Sequence, residues 1–194
     1  MAITDFFATP LWSKVAENSE LINQELLELT RKLMKLDKKG KSKTNAGGWQ
    51  SNFLSTDDIP LLVAFIGSIL DDIKQDLNIK SDVSIHLNGC WINVNNKNNY
   101  NRTHTHPGNM LSGCYYIKTP KKSGDIVFED PRAQAVCLPL PVVEKNKYTI
   151  QTARFHPESG AIVVFPSWLP HNVETNESDK ERISVAFNMV FNEK

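Results

Sequence analysis

The rhythm of hydrophobic positions changes near residue 80. From Ser19 to Leu36, apolar side chains recur at 21, 22, 26, 29 and 33, the 3.6-residue spacing that lines one face of a helix. Glu20, near its start, complements the helix dipole. A second helix is marked by Ser55-Thr56-Asp57-Asp58, which reads as a cap with an acidic first turn, and by Pro60, tolerated early in a helix. Its apolar pairs Leu61/Leu62, Phe65/Ile66 and Ile69/Leu70, then Ile73 and Leu77, predict one buried face. Residues 38–48, rich in Gly, Lys, Ser and Asn, read as a loop ending at Trp49, and residues 3–15 as an edge strand leading into the first helix.

Beyond residue 80 the period is two. Val83–Asn95, Cys114–Lys118, Asp125–Glu129, Tyr148–Ala153, Ala161–Phe165 and Ile183–Phe191 are short, rich in β-branched and aromatic residues, and separated by Pro, Gly and Asn turns. Helices followed by a run of strands predict an α+β fold, mainly β: a jelly roll of the cupin-like kind, with the N-terminal helices packed on one sheet. No boundary or repeat is visible, so residues 1–194 are expected to form a single domain, with 1–80 the helical N-terminal part and 81–194 the jelly-roll core.

Composition narrows the function classes. Lys plus Arg and Asp plus Glu balance at 22 each, so no global field recruits nucleic acid or an anionic membrane. The basic stretch 31–43 (RKLMKLDKKGKSK) reads as a solvated helix end and loop. Cys90, Cys114 and Cys137 form no CxxC pair and read as small buried apolar residues. With neither a signal-peptide pattern in MAITDFFATPLWSK nor a run of ~20 apolar residues, a cytoplasmic location is expected.

The chemistry sits in histidines. His104 and His106 are one residue apart, His171 follows far downstream, and Arg182 comes eleven residues after it. On a strand, positions i and i+2 share a face, so an H-x-H pair can reach one ion. Three imidazoles suit iron, copper, nickel or zinc and leave coordination positions open for chemistry. The arginine fork suits a carboxylate held close to the metal. Together they predict a metal-dependent oxygenase with an organic-acid cosubstrate. His86 and His156, lone histidines in strand-like surroundings, read as ordinary hydrogen-bonded residues; Tyr115, Tyr116, Trp91 and Trp168 read as core, and Arg132 as part of a turn.

These residues fall in an ordered series: Asn93-x-Asn95, His104-x-His106-Pro107-Gly108, Leu111-Ser112-Gly113-x-Tyr115-Tyr116, Gly124–Arg132, Gly160-x-Ile162 through His171-x-Val173, and Glu181-Arg182-Ile183-Ser184-x-Ala186-Phe187-Asn188. The series resembles the Fe(II)- and 2-oxoglutarate-dependent oxygenases, and in particular a small microbial and phage branch of them. The resemblance covers 91–191, with Pro10-Leu11-Trp12 and Gly48–Ser51 similar to that branch's N-terminal part. It implies a double-stranded β-helix with Fe(II), 2-oxoglutarate and O2 as cofactors. It implies that 2-oxoglutarate is decarboxylated to succinate and CO2 while an unidentified substrate is hydroxylated. By the same resemblance His104 and His171 are metal ligands, Arg182 pairs with the far carboxylate of 2-oxoglutarate beside Ser184, and Asn93 and Asn95 offer polar contacts to the cosubstrate.

One position departs from the family pattern. Where Asp or Glu normally stands, this chain has His106. Three readings remain open: His106 ligates; it points away and leaves two histidines; or a carboxylate from Asp125 or Asp130 swings in. A cupin-like three-histidine metalloenzyme without 2-oxoglutarate and a non-catalytic jelly-roll binding module are the alternatives. Substrate choice is expected from loops 38–56, 95–103 and 132–147, with a protein or amino-acid side chain as substrate by family analogy. Edge strands leave room for a homodimer without requiring one.

Overall fold

The computed structural model describes residues 1–132 and 140–193. Two antiparallel sheets face each other, and two helices cover the outside of the larger one. The larger sheet holds β1 (Trp12–Val15), β9 (Ala161–Pro166), β6 (Leu111–Lys118), β11 (Arg182–Glu193), β4 (Val83–Asn95) and β3 (Trp49–Gln50), in that order. The smaller runs β2 (Asn45–Ala46), β5 (Tyr100–His104), β10 (His171–Val173), β7 (Ile126–Glu129) and β8 (Thr152–Phe155).

Helix α1 (Ser19–Leu36) buries Ile22, Leu26 and Thr30, while Leu21 is 61% exposed. The apolar stripe therefore starts one residue later than the spacing suggests, and Thr30 joins it because its hydroxyl donates to the Leu26 carbonyl at 2.6 Å. In α2 (Pro60–Asp76) the buried side chains are Leu62, Ile66, Ile69 and Ile73, one member of each apolar pair and Ile73, whereas Leu77, expected on that face, is exposed past the helix end. The Ser55 cap belongs to a separate 3-10 turn, Thr56–Asp58, in which Ser55 and Asp58 form a reciprocal capping box. The helix itself begins at Pro60.

Alternation along the strands sorts the two interiors. Ile92, Val94, Tyr115, Ile162, Val185 and Phe187 meet the helices, whereas Tyr116, Phe128, Val163 and Phe165 fill the space between the sheets. Four short strands depart from the sequence reading. β2 and β3 lie in or beside the stretch read as loop, and β5 and β10 are polar segments without an apolar period. Their pairing comes from distant partners: Asn101 faces Asn45, and His171 faces both His104 and Phe128. The strand expected over Tyr148–Ala153 starts four residues later and ends two later, at Thr152–Phe155. Among the described residues no helix is long and apolar enough to cross a membrane.

Candidate active site

His104 is the last residue of β5 and His171 the first of β10, and the antiparallel ladder sets them opposite each other. Their ring centroids are 4.4 Å apart. The H-x-H pair does not share one strand. β5 ends at His104, and His106 stands in the loop beyond it, held by a 2.9 Å bond from its backbone N–H to the Ser167 carbonyl. The rings converge regardless: ligand atoms of His104, His106 and His171 all lie within 4.8 Å of one another.

Two of the imidazoles are oriented by backbone. The Nδ1 of His104 is 2.7 Å from the Arg102 carbonyl, and that of His171 is 2.9 Å from the Leu169 carbonyl. A carbonyl only accepts, so each Nδ1 carries the proton and each Nε2 keeps its lone pair for a metal. Burial drives the histidine pKa values down, to about 4 for His106 and about 3 for His171, with the charge of His104 adding to both; burial also lowers His104. Neutral imidazoles are what a metal ion requires.

The histidines open onto a cavity of about 300 Å³ between the sheets. Among the described residues that line it, none is Asp or Glu. Asp125 is 2.6 Å from His156, and Asp130 holds Arg132 at 2.8 Å, so both carboxylates are engaged elsewhere. A larger depression of about 570 Å³ lies along the outside of α1 around Leu27 and Arg31, but no ligand groups converge there.

At the inner end of the cavity Arg182 is 2% exposed. Its Nη1 donates to the Ser184 hydroxyl at 3.4 Å, while Nε and Nη2 are sealed from solvent without a partner. Glu181, just before it in the chain, does not neutralise it; that carboxylate lies 2.6 Å from Arg31 and 3.4 Å from Lys118. A buried cation with two idle donors is costly unless an anion arrives to accept from them.

The profile of the family described as "Putative 2OG-Fe(II) oxygenase" matches residues 89–188, a span holding all three histidines and Arg182. The chain belongs to this family. Iron(II) and 2-oxoglutarate are therefore the cofactors of this 2OG-Fe(II) oxygenase. No curated protein matches its sequence. The fold is similar to that of a Pseudomonas putida prolyl-4-hydroxylase, with TM-score 0.63 and 14% identity over 93% of this chain and 92% of the other. It is also similar to a viral collagen prolyl hydroxylase from Paramecium Bursaria Chlorella virus-1, solved as a 2OG complex (TM-score 0.59, 13% identity, 92% and 94% covered). A third is a Trichoplax adhaerens prolyl hydroxylase, solved with a hypoxia inducible factor oxygen degradation domain peptide fragment (TM-score 0.63, 12% identity, 93% and 83% covered). At such identities the likeness establishes the fold, a double-stranded β-helix.

The remaining sequence-selected residues of this oxygenase separate into two groups. Register sets Ser184 opposite Asn93 and Arg182 opposite Asn95. Ser184 and Asn93 line the cavity, and the Asn93 Oδ1 is buried without a partner. Asn95 is not part of the lining; its amide donates to Asn101 Oδ1 at 3.0 Å. Tyr116, taken from sequence as core, is fully buried but lines the cavity as well. The Arg182 guanidinium lies 5.2 Å from its ring centroid, and its hydroxyl is sealed without a partner. Burial pushes that hydroxyl well above its ordinary pKa, so it stays a neutral donor. Its register opposite Ser184 on β6 marks it, and that register is not written in local sequence. Trp91 and Cys114 also line the cavity, whereas Trp168 is 54% exposed and so not core. Cys90 is buried as expected, and Cys137 lies outside the described residues.

Proposed function

We propose that His104, His106 and His171 hold iron(II), that Arg182 holds the far carboxylate of 2-oxoglutarate, and that the enzyme hydroxylates a protein or amino-acid substrate. One observation carries the reading: the buried Arg182 guanidinium, with two unpartnered N–H donors, faces the same cavity as three inward-turned imidazoles. The donor set fits both cofactors. Three neutral imidazoles suit iron(II) and leave open positions, and the idle guanidinium donors suit a carboxylate bidentately.

With both bound, the metal and O2 supply the oxidising power, 2-oxoglutarate becomes succinate and CO2, and one C–H bond of the substrate becomes C–OH. The chain's own residues bind and orient. Arg182 fixes one end of the cosubstrate, Ser184 steadies the guanidinium, and the Tyr116 hydroxyl and Asn93 stand beside it. Ile126, Phe165 and Val173 make the adjoining wall apolar and keep water from the reacting centre. Asn95 acts behind this group by bracing Asn101.

The test is an anaerobic titration of metal-free protein with Fe(II), then 2-oxoglutarate, followed in the visible spectrum. A charge-transfer band that needs both additions and is lost in His171→Ala supports the assignment. Iron uptake with no spectral response to 2-oxoglutarate would shift the reading to a cupin-like three-histidine enzyme, which the lack of a carboxylate among the described lining residues would then favour.

A further inference from the structure

Residues 43–53 run along the cavity mouth and are tied to both sheets. β2 joins β5 on the smaller sheet and β3 joins β4 on the larger. Ser51 and Ile92 exchange two bonds, from the Ser51 N–H at 3.0 Å and to its hydroxyl at 2.9 Å, and the Leu54 N–H donates to the Cys90 carbonyl at 2.8 Å. This strap contributes Lys43, Thr44, Gln50 and Phe53 to the cavity lining. The basic stretch read from sequence as merely solvated thus ends with a lysine at the mouth.

The strap also sets an aromatic row. Phe53, 72% exposed, leans on Trp91 with centroids 5.9 Å apart, and Trp91 leans on His106 at 6.0 Å. Gly89 permits this seat. At φ +138 it lacks a side chain, and a Cβ there would stand 3.3 Å from the Phe53 ring. A flat apolar surface therefore leads from solvent to the side of the metal cluster.

The cavity contains two cations, Lys43 and Arg182, and no carboxylate among its described lining residues. A 2-oxoglutarate dianion would offset an iron(II) ion, since the ligands proposed are neutral. Arg182 sits at the inner end and is occupied by that cosubstrate. Lys43 is exposed at the rim, and among the described residues no carboxylate pairs with it. An incoming acid would therefore meet an unneutralised cation beside an aromatic wall.

We infer that the mouth is the prime-substrate subsite and takes a carboxylic acid with a flat apolar body: acid group on Lys43, body against Trp91 and Phe53. This rests on the proposed cosubstrate assignment. The probes are phenylacetate and N-acetylphenylalanine, each with its uncharged amide, added to the anaerobic Fe(II)·2-oxoglutarate protein. Formation of the charge-transfer band comes first and tests the cosubstrate assignment by itself; the probes are then read by their shift of that band. Each acid is expected to act at about tenfold lower concentration than its amide, as a charge-assisted contact requires. Lys43→Gln should erase that preference. Phe53→Ala should instead weaken acid and amide alike, by roughly five- to tenfold. The band itself checks that each variant still holds iron and cosubstrate. Acid and amide acting equally, or neither acting at millimolar concentration, overturns the inference. So does an acid that erases the band by competing for Arg182, or a preference that survives Lys43→Gln.

Discussion

Arg182 is a cation shut inside the cavity. Its buried guanidinium has two donors without acceptors. Arg182→Gln should weaken 2-oxoglutarate binding by 2–5 kcal/mol, about 30-fold or more, the range for truncating one partner of a buried charge pair. Calorimetric titration of the Mn(II)-loaded variant measures it; equal affinity would sink the role, and unchanged Mn(II) uptake separates it from misfolding. Tyr116→Phe keeps the ring beneath the guanidinium and removes only the hydroxyl, so KM for 2-oxoglutarate should rise by roughly three- to tenfold, as for one hydrogen bond. The histidines make a pH prediction for the metal-free protein. Their folded pKa values lie below the ordinary value, about 4 for His106 and about 3 for His171, so below pH ~6.5 the unfolded chain binds protons that the folded chain refuses. Stability is then full above ~6.5 and falls as pH drops toward the folded values. The Tm of EDTA-treated protein should be lower at pH 5 than at pH 7.5, and His171→Gln should shrink the gap; an unchanged gap would refute the burial argument.

Elements differ in how clearly the sequence marks them. The helices and the long strands β4, β6, β9 and β11 announce themselves by period, because each buries a continuous apolar face against the core. β2, β3, β5 and β10 do not, because Asn45, Asn101 and His171 are polar and their order comes from partners far along the chain. The same limit applies to the site. His104, His106, His171 and Arg182 were legible as residue types at a telling spacing. That β5 stops at His104, that Tyr116 stands opposite Ser184, and that Lys43 reaches the mouth depend on register and strap placement. β6 packs closely on β11 at Gly113. A Cβ at Gly113 would collide with the Phe187 ring and crowd the Val163 carbonyl at 2.8 Å. Gly113→Ala should cost about 1–3 kcal/mol as overpacking, read from the urea midpoint; a neutral result would mean that the Phe187 ring moves aside.

For the molecule as a whole, strands from before residue 80 enter both sheets, β1 and β3 the larger and β2 the smaller. We propose that residues 1–194 unfold as one unit, and metal binding tests this together with the site. Mn(II) at 100 times its Kd should add about 2.7 kcal/mol, or roughly 5–10 °C in Tm, to a single transition, and EDTA should reverse it. Two transitions, only one of them moved by metal, would divide the molecule.

Glu181 and Arg182 are neighbours of opposite charge, yet one meets Arg31 on the outside and the other is shut within the sheets. Arg182 opens β11 and is shut between the sheets, while Glu181, just before the strand, is held by Arg31 and Lys118 on the other side, so the two do not cancel. The entry of the chain into β11 works as an insulator. It keeps the nearest anion in the chain from quenching the cation that must wait for a foreign one. Exchanging the two residues would conserve composition and net charge yet invert the polarity of the chamber, which would then repel the carboxylate that the proposed function assigns to it.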